Sequence, residues 1–298
     1  GSGSALTYFF RTIKFKAVVM TLTDLQTYHL KKSIYPVHYF YVFHSLVSTH
    51  RAYKKKAFDA YDTILCSGQH HINEIKKNKK IYNLKSKNLC KHGYGRLDIL
   101  INNYKNKLDV TTKANRSTVL IAPTWGKSSI FGKTLDSLIE ILINSNIKTI
   151  LRLHPMTKRQ DKKNIYALLT KYISNNNFEY NENIEAIEDI ISSDVMISDW
   201  SGASMEYAFA TEKPLIFIDT KPKIRNLNWK KLDLPCIEEN IRKDIGKIID
   251  QKNLEKIPLI IKELINDKKL WSDKIKKIRE KSVFNIGNSG KVGAEIIN

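Results

Sequence analysis

The run Asp194-Val195-Met196-Ile197-Ser198-Asp199-Trp200-Ser201-Gly202-Ala203-Ser204-Met205-Glu206 puts two hydroxyls, a glycine and a carboxylate where an apolar strand turns into a helical pattern. In open α/β sheets, ligands sit outside the carboxyl ends of strands. The first N–H groups of the following helix have no internal partners and carry the positive end of the helix dipole. Ser201 is the predicted N-cap, and Gly202, Ala203 and Ser204 are small enough for a phosphate to approach those N–H groups. Ser201 and Ser204 add hydroxyl donors. Ordinary capping without a ligand explains the same residues.

Three further stretches end apolar runs with chemistry-bearing residues. In Leu151-Arg152-Leu153-His154-Pro155, Arg152 and His154 are predicted to alternate onto one strand face. Arg152 would fork onto a diphosphate, and His154 would stay charged beside phosphate or act as an acid, unless it is a satisfied structural histidine. Thr124, Trp125 and Gly126 form a tight strand exit whose N–H groups could face a nucleotide, or only a turn. His44, Ser45, Ser48 and Thr49 follow the strand-like Tyr39–Phe43, and Gly93-Tyr94-Gly95-Arg96-Leu97-Asp98 makes a glycine turn with an Arg and an Asp. Histidines at strand ends in two lobes predict a cleft between lobes.

The elements that must hold these residues are short and rich in Val and Ile. They are Ala17–Leu22, Tyr39–Phe43, Thr63–Cys66, Thr118–Ala122, Thr149–Leu153, Val195–Ser198 and Pro214–Ile218. Continuous apolar runs of this length suit parallel strands buried on both faces. Between them, Leu135, Leu138, Ile139, Leu142 and Ile143 form one helical stripe, and Asn164–Ile173 and Asn183–Ile191 read likewise. The predicted class is α/β, with two Rossmann-like lobes.

A chain of 298 residues suits two domains at roughly 150 residues each. Residues 1–4 (Gly-Ser-Gly-Ser) read as a cloning scar. Residues 5–110 read as an N-terminal lobe, truncated or unusually short, and 104–117 as a polar linker. Residues 117–250 read as a nucleotide-binding lobe and 251–298 as C-terminal helices. Three cysteines, Cys66, Cys90 and Cys236, with no CxxC, suggest neither a disulfide framework nor a zinc site, and fit a reducing cytosol. No apolar run reaches the roughly 18 residues of a membrane span. The net charge of +20 points to an anionic partner, though an A+T-rich genome also enriches Lys, Asn and Ile.

The set APTWG, RLHP and SDVMISDWSGASMEYAF followed by KPLIFI, in that order, resembles the CDP-glycerol glycerophosphotransferase family of teichoic-acid-type polymerases and primases. The resemblance covers roughly Val18 to Ile218. It implies a GT-B fold. The family's His–Gly–Thr motif stands here as His44-Ser45-Leu46, and its Gly-x-Pro-Arg-x-Asp turn as Gly93 to Asp98, with Gly95 in place of the proline.

The resemblance implies a transferase that moves a polyol phosphate, glycerol phosphate first among them, from a CDP-linked donor to a hydroxyl of a cell-surface glycan or lipid-linked acceptor, releasing CMP. His44 would be the general base. Arg152 and His154 would hold the diphosphate; Ser201, Gly202 and Ser204 a phosphate; Asp199 would orient His154 or a hydroxyl; Glu206 would reach the ribose; and Thr124, Trp125 and Gly126 would line the nucleotide pocket. Ser45, Ser48, Thr49, Arg96 and Asp98 are candidates for the acceptor side or cleft. No Asp-x-Asp motif or metal-ligand spacing occurs, so no tightly held cofactor is expected, although loosely bound Mg²⁺ is compatible with the diphosphate.

Expected partners are the donor, the acceptor and an anionic membrane surface, with no nucleic acid. The expected location is the cytoplasmic face of the membrane. Lys54–Lys56 and Lys76, Lys77, Lys79 and Lys80 would lie on headgroups, or be solvated helix faces. Tyr8 to Lys16 mixes aromatics with bases and suits either an interfacial segment or a helix packed on the sheet. The rival readings are a GT-B glycosyltransferase using a UDP- or CMP-sugar, and a non-catalytic basic module binding nucleic acid or lipid.

Overall fold

The computed structural model describes residues 3–23, 25–27, 29–108, 116–183 and 187–298. In chain order the elements begin α1 (Gly3–Thr12), β1 (Ala17–Met20), β2 (His38–Val42), α2 (Thr49–Ala52), β3 (Thr63–Cys66), α3 (Gln69–Tyr82), β4 (Asn88–Lys91) and α4 (Gly95–Leu108). Then come β5 (Thr118–Ile121), α5 (Lys133–Asn144), β6 (Lys148–Leu151), α6 (Pro155–Gln160), α7 (Lys162–Tyr172), β7 (Phe178–Tyr180), α8 (Ile187–Ser192), β8 (Val195–Ser198), α9 (Ala203–Thr211) and β9 (Leu215–Asp219). The chain closes with α10 (Ile237–Asn240), α11 (Arg242–Ile245), β10 (Gly246–Asp250), α12 (Ile257–Asn266), α13 (Lys268–Ser282) and α14 (Ser289–Ile297).

Two compact units result. The first holds residues up to Asp98, Ile224–Ile237 and Glu280–Asn298; the second holds Ile99–Lys223 and Glu238–Arg279. The first carries a four-stranded sheet in the order β1-β2-β3-β4, and the second a six-stranded sheet in the order β10-β9-β8-β5-β6-β7. Every strand pair is parallel. This is the α/β class expected from the alternating pattern.

Burial explains which strands the sequence announces. The central β3, β5 and β8 are buried at every residue, so each reads as an unbroken apolar run. The unforeseen strands β4, β7 and β10 all lie at sheet edges. Their half-exposed faces admit Asn88, Lys91, Glu179 and Lys247, which break the apolar run. In the second unit, Leu135, Leu138, Ile139 and Leu142 of α5 share a core with Val119, Ile121, Val195 and Ile197 of the sheet and Ile257, Ile260, Ile261 and Leu264 of α12. The first unit has an aromatic core in which Tyr41 meets Phe43, Phe58 and Tyr61 edge-on.

The sequence-based boundaries need correction. Residues 104–108 are helical, as the end of α4, rather than linker; residues 109–115 of the expected linker and 184–186 of an expected helix lie outside the described residues. Gly3 and Ser4, read as scar, form the first turn of α1. The segment 224–237, assigned by sequence to the second lobe, folds with the first unit, where Arg225 and Asn226 donate their N–H groups to Arg51 O at 3.1 and 3.2 Å. The expected C-terminal helical block divides. Helix α12 and most of α13 pack on the second unit, Arg279 donating to Phe209 O at 2.6 Å and pairing with Glu212 at 2.8 Å, while residues from Glu280 onward belong to the first. An apolar stripe specifies that a helix packs, but not against which sheet.

Candidate functional site

The second sheet defines where a ligand belongs. From β5 the chain builds outward through β6 and β7, then returns to the other side of β5 as β8, β9 and β10. The order therefore reverses between β5 and β8, and the crevice beyond their carboxyl ends is the topological switch point. The loops at this point are 122–132 and 199–202.

Asp199 organises both loops. One carboxylate oxygen accepts from the N–H groups of Thr124 at 2.7 Å and Trp200 at 2.6 Å, and the other accepts from Ile130 at 3.0 Å. Burial pushes its pKa up, opposed by these amides and by Lys223. At 1% exposure, with both oxygens accepting from loop amides, Asp199 ties the two loops together. Ser198 adds a second tie, donating its hydroxyl to Ala122 O at 2.7 Å.

Above this scaffold, Thr124, Trp125, His154 and Lys223 converge. Lys223 Nζ donates to Thr124 Oγ1 at 2.8 Å and lies 4.3 Å from the Trp125 ring centroid. The Trp125 and His154 rings are 5.8 Å apart. Gly126 has φ +85, a left-handed conformation, so glycine is required there by backbone geometry. Sequence reasoning passed over Lys223. Its signal was the turn Thr220-Lys221-Pro222-Lys223 at the end of β9, and that turn is laced to loop 122–132 by Thr220 Oγ1 donating to Ser128 O at 2.8 Å.

His154 caps α6, its Nδ1 accepting from Met156 N–H at 3.0 Å, with Pro155 beginning the helix. Accepting at Nδ1 leaves the ring proton on Nε2. Burial, with Lys223 nearby, lowers its pKa to about 4, so without a bound anion the imidazole is neutral at pH 7 with its proton on Nε2. The linked stability change has a definite sign. The unfolded chain takes up a proton near pH 6.5 and the folded one only near 4, so the wild type loses stability as pH falls through that window. His154→Asn keeps a capping side chain without the titration. Its melting temperature is expected to gain a few degrees on wild type between pH 7.5 and 5. A constant difference across that range would contradict the neutral assignment.

Strand β6 ends at Leu151, so Arg152 and His154 lie beyond it, in the exit that leads into α6. Arg152 is 5% exposed, and its charge acts on Asp189, which also accepts from Asn181 at 2.8 Å. The helix start also shifts by one residue, with Gly202, not Ser201, as N-cap of α9. Ser201 Oγ accepts from Ala203 N–H at 3.4 Å, whereas the Ser204 hydroxyl is spent on Ser201 O at 2.6 Å. Glu206, expected at the ribose, is buried in the first turn of α9. Trp200, also missed, donates Nε1–H to Thr220 O at 2.9 Å and lies under the Arg242 guanidinium at 4.0 Å.

In the first unit, His44 is exposed just beyond the carboxyl end of β2. Its Nδ1 is 2.8 Å from Thr21 Oγ1, one residue past the adjacent β1, and its carbonyl accepts from Tyr94 OH at 2.9 Å. In the tautomer whose Nδ1–H donates to Thr21, Nε2 is the basic nitrogen. Ser45 is half-buried and accepts from Val47 N–H at 3.4 Å.

Ser48, Thr49 and Asp98 have polar atoms engaged within the first unit. Ser48 is fully buried, its hydroxyl accepting from Ile237 N–H at 2.9 Å. Thr49 gives its N–H and hydroxyl to Glu74 at 2.5 and 2.6 Å, and Glu74 also faces His50 at 3.3 Å. Asp98 accepts from Gly287 N–H at 2.6 Å and from both the N–H and hydroxyl of Ser289, holding the start of α14. Gly93 has φ +106, and a Cβ there would lie 2.5 Å from Phe284 O. Arg96 is half-buried in the first turn of α4. The partners of Ser48 and Asp98 lie some 190 residues away in sequence, which no local pattern discloses.

Among the described residues, no group of three or more His, Cys, Asp or Glu could hold a metal ion, and no helix is long and apolar enough to cross a membrane.

Comparison with known proteins bears on what this geometry serves. No curated protein matches the sequence. The wall teichoic acid polymerase TagF, as its H548A variant, is similar in structure, with a TM-score of 0.61 at 16% identity over 94% of this chain and 71% of that one. The UDP-GlcNAc 2-epimerase of Methanocaldococcus jannaschii, in complex with UDP-GlcNAc and UDP, is similar with a TM-score of 0.62 at 15% identity, over 99% of this chain and 79% of that one. Its counterpart from Neisseria meningitidis, bound to UDP-GlcNAc, gives 0.61 at 15%, over 99% and 79%. At such identities these likenesses establish the fold, GT-B with Rossmann-like units. The profile of CDP-Glycerol:Poly(glycerophosphate) glycerophosphotransferase matches residues 23–221, which include both His44 and His154. The chain is a transferase-type enzyme and belongs to the CDP-glycerol:poly(glycerophosphate) glycerophosphotransferase family.

Proposed function

We propose that this chain transfers glycerol phosphate from CDP-glycerol to a hydroxyl of a lipid-linked or glycan acceptor and releases CMP. The observation that carries this reading is the family match across 23–221, because it spans both strand-end histidines. His44 takes the proton of the acceptor hydroxyl, whose oxygen forms a bond to the β-phosphorus of the donor. The bond from that phosphorus to the bridging oxygen breaks, and CMP leaves with the electron pair. Such phosphoryl transfers depend on positioning and charge stabilisation more than on covalent chemistry.

The second unit supplies that stabilisation. Lys223 and the Nε2–H of His154 donate to the diphosphate, and the N–H groups at the start of α9 receive a phosphate. Trp125 and Thr124 face the nucleotide, and a loosely held Mg²⁺ suits the same diphosphate. A net charge of +20 supports association with an anionic membrane surface at its cytoplasmic face.

Calorimetry with CDP-glycerol, CDP-ribitol, CMP, UDP-N-acetylglucosamine and a short duplex DNA tests the donor. Binding of a CDP-polyol but not of the UDP-sugar or DNA is expected. Preference for the UDP-sugar would move the chemistry to glycosyl transfer, and DNA binding alone would overturn the reading. Lys223→Met keeps the apolar stem over Trp125 and removes the charge-assisted hydrogen bond. The dissociation constant for CDP-glycerol is expected to rise about 10- to 100-fold. An unchanged constant would remove Lys223 from the donor site.

A further inference from the structure

A concavity of about 550 Å³ in the first unit is lined by none of the candidate catalytic or donor-binding residues. Its apolar lining is Phe58, Ile75, Leu84 and Leu89, from the turn before β3, α3, the turn after α3 and the edge strand β4. Its walls carry Lys76, Lys79, Lys80, Lys85 and Lys87. The only carboxylate in the lining is Asp59, already paired with Lys87 at 3.5 Å. Lys79 donates to Ser86 across the mouth at 3.1 Å, which holds the turn 84–87 against α3. Gathering this many ammonium groups over an apolar floor costs energy through mutual repulsion, and an anion with an apolar portion offsets it.

The position is as informative as the composition. Phe58, Asp59 and the turn 84–87 precede β3 and β4, so the concavity opens at the amino-terminal end of the parallel sheet, opposite the end that carries His44. Phe15, Ile34 and Tyr35 precede β1 and β2 at that same end and are 60%, 65% and 37% exposed. Lys14 lies 4.6 Å from the Tyr35 ring centroid, so bases and aromatics are mixed there too. Exposed aromatics beside lysines are the composition of a segment seated at a lipid headgroup layer.

We propose that the amino-terminal end of the first unit's sheet docks on anionic phospholipid, with a headgroup phosphate held by the lysines around Leu84 and with Phe15, Ile34 and Tyr35 entering the interface. This deepens the membrane part of the proposed function and does not depend on the transferase chemistry.

Co-sedimentation with vesicles of phosphatidylglycerol and phosphatidylcholine, against phosphatidylcholine alone, tests it. Wild type is expected to bind only the anionic vesicles. Removing three lysine charges near a membrane surface costs about five-fold each, so K76Q/K79Q/K80Q is expected to weaken partitioning on the order of 100-fold. A charge-matched control on the second unit, K162Q/K163Q/K277Q, is expected to change it only a few-fold. Phe15→Ser, at an exposed position, is expected to weaken it several-fold with an unchanged melting temperature.

Three results would overturn the proposal. They are no binding of wild type to anionic vesicles, equal losses in the two lysine triples, and complete release by millimolar inorganic phosphate, which would mark a soluble-phosphate site. CDP-glycerol affinity is expected to be unchanged in the first triple. A wild type that binds vesicles but not CDP-glycerol would therefore sink the donor reading and leave this one standing.

Discussion

His44→Ala is expected to lower the turnover of glycerol phosphate transfer about 10³-fold, within the span of 10² to 10⁴ for loss of a general acid–base group. Donor affinity and melting temperature are expected to stay near wild type. The asymmetry follows from where the residue sits. Its ring is exposed beyond β2, so truncation empties no core, and the tie from Tyr94 OH reaches the backbone carbonyl, which alanine retains. Donor contacts are assigned to the second unit, so calorimetry with CDP-glycerol should not register the change. Thr21→Val tests the positioning of the base, since it removes the hydroxyl 2.8 Å from Nδ1 and leaves the imidazole in place. A smaller fall in kcat, about 10-fold, with KM unchanged is expected, as for loss of a group that orients another. Turnover near wild type in His44→Ala would take the residue out of the mechanism. A large loss of melting temperature would make it structural.

Asp199→Ala should have the opposite signature, with stability and donor binding lost together. Alanine leaves the N–H groups of Thr124, Ile130 and Trp200 without their acceptor in a site that is 1% exposed. An orphaned buried donor costs roughly 1–3 kcal/mol. Relaxation of the loops makes the three costs less than additive, so a destabilisation of about 3 kcal/mol or more is expected from urea unfolding. Loop 122–132 carries Thr124 and Trp125, so CDP-glycerol affinity is expected to fall at least about 100-fold. Asp199→Asn separates shape from charge. It keeps the volume and one acceptor oxygen but turns an NH₂ group toward a backbone N–H, and an intermediate loss is expected. If Asp199→Ala unfolds at the wild-type urea concentration yet fails to bind donor, the carboxylate contacts the ligand directly and the scaffold assignment is wrong.

The two cases show which kinds of role a local pattern can disclose. The strand-end positions of His44 and His154 were legible because each follows a run whose composition marks it as a strand. The place of Asp199 at the end of β8 was legible, but its partners were not. A carboxylate that binds phosphate-side groups and one that accepts loop amides look alike until the distant N–H groups of Thr124 and Ile130 are placed beside it. The partners of Ser48, Thr49 and Asp98 were hidden for the same reason, since Ile237, Glu74 and Ser289 come to them from other parts of the chain. The burial of Arg152 was hidden too, because its charge acts on Asp189, which lies 37 residues further along the chain.

By itself, then, the sequence determined the α/β class, the buried central strands, the loops that follow them and, through the motifs running from Val18 to Ile218, the family. These are local properties, set by unbroken Val- and Ile-rich runs and by turn residues at their ends. Only the tertiary structure decided the edge strands β4, β7 and β10, the return of 224–237 and 280–298 to the first unit, and the arrival of Lys223 beside Thr124 and His154. An edge strand faces water on one side and so loses its apolar signature. A side chain's partner, whether amide, carbonyl or ligand, is fixed by chain segments remote in sequence, and no spacing rule reaches that far.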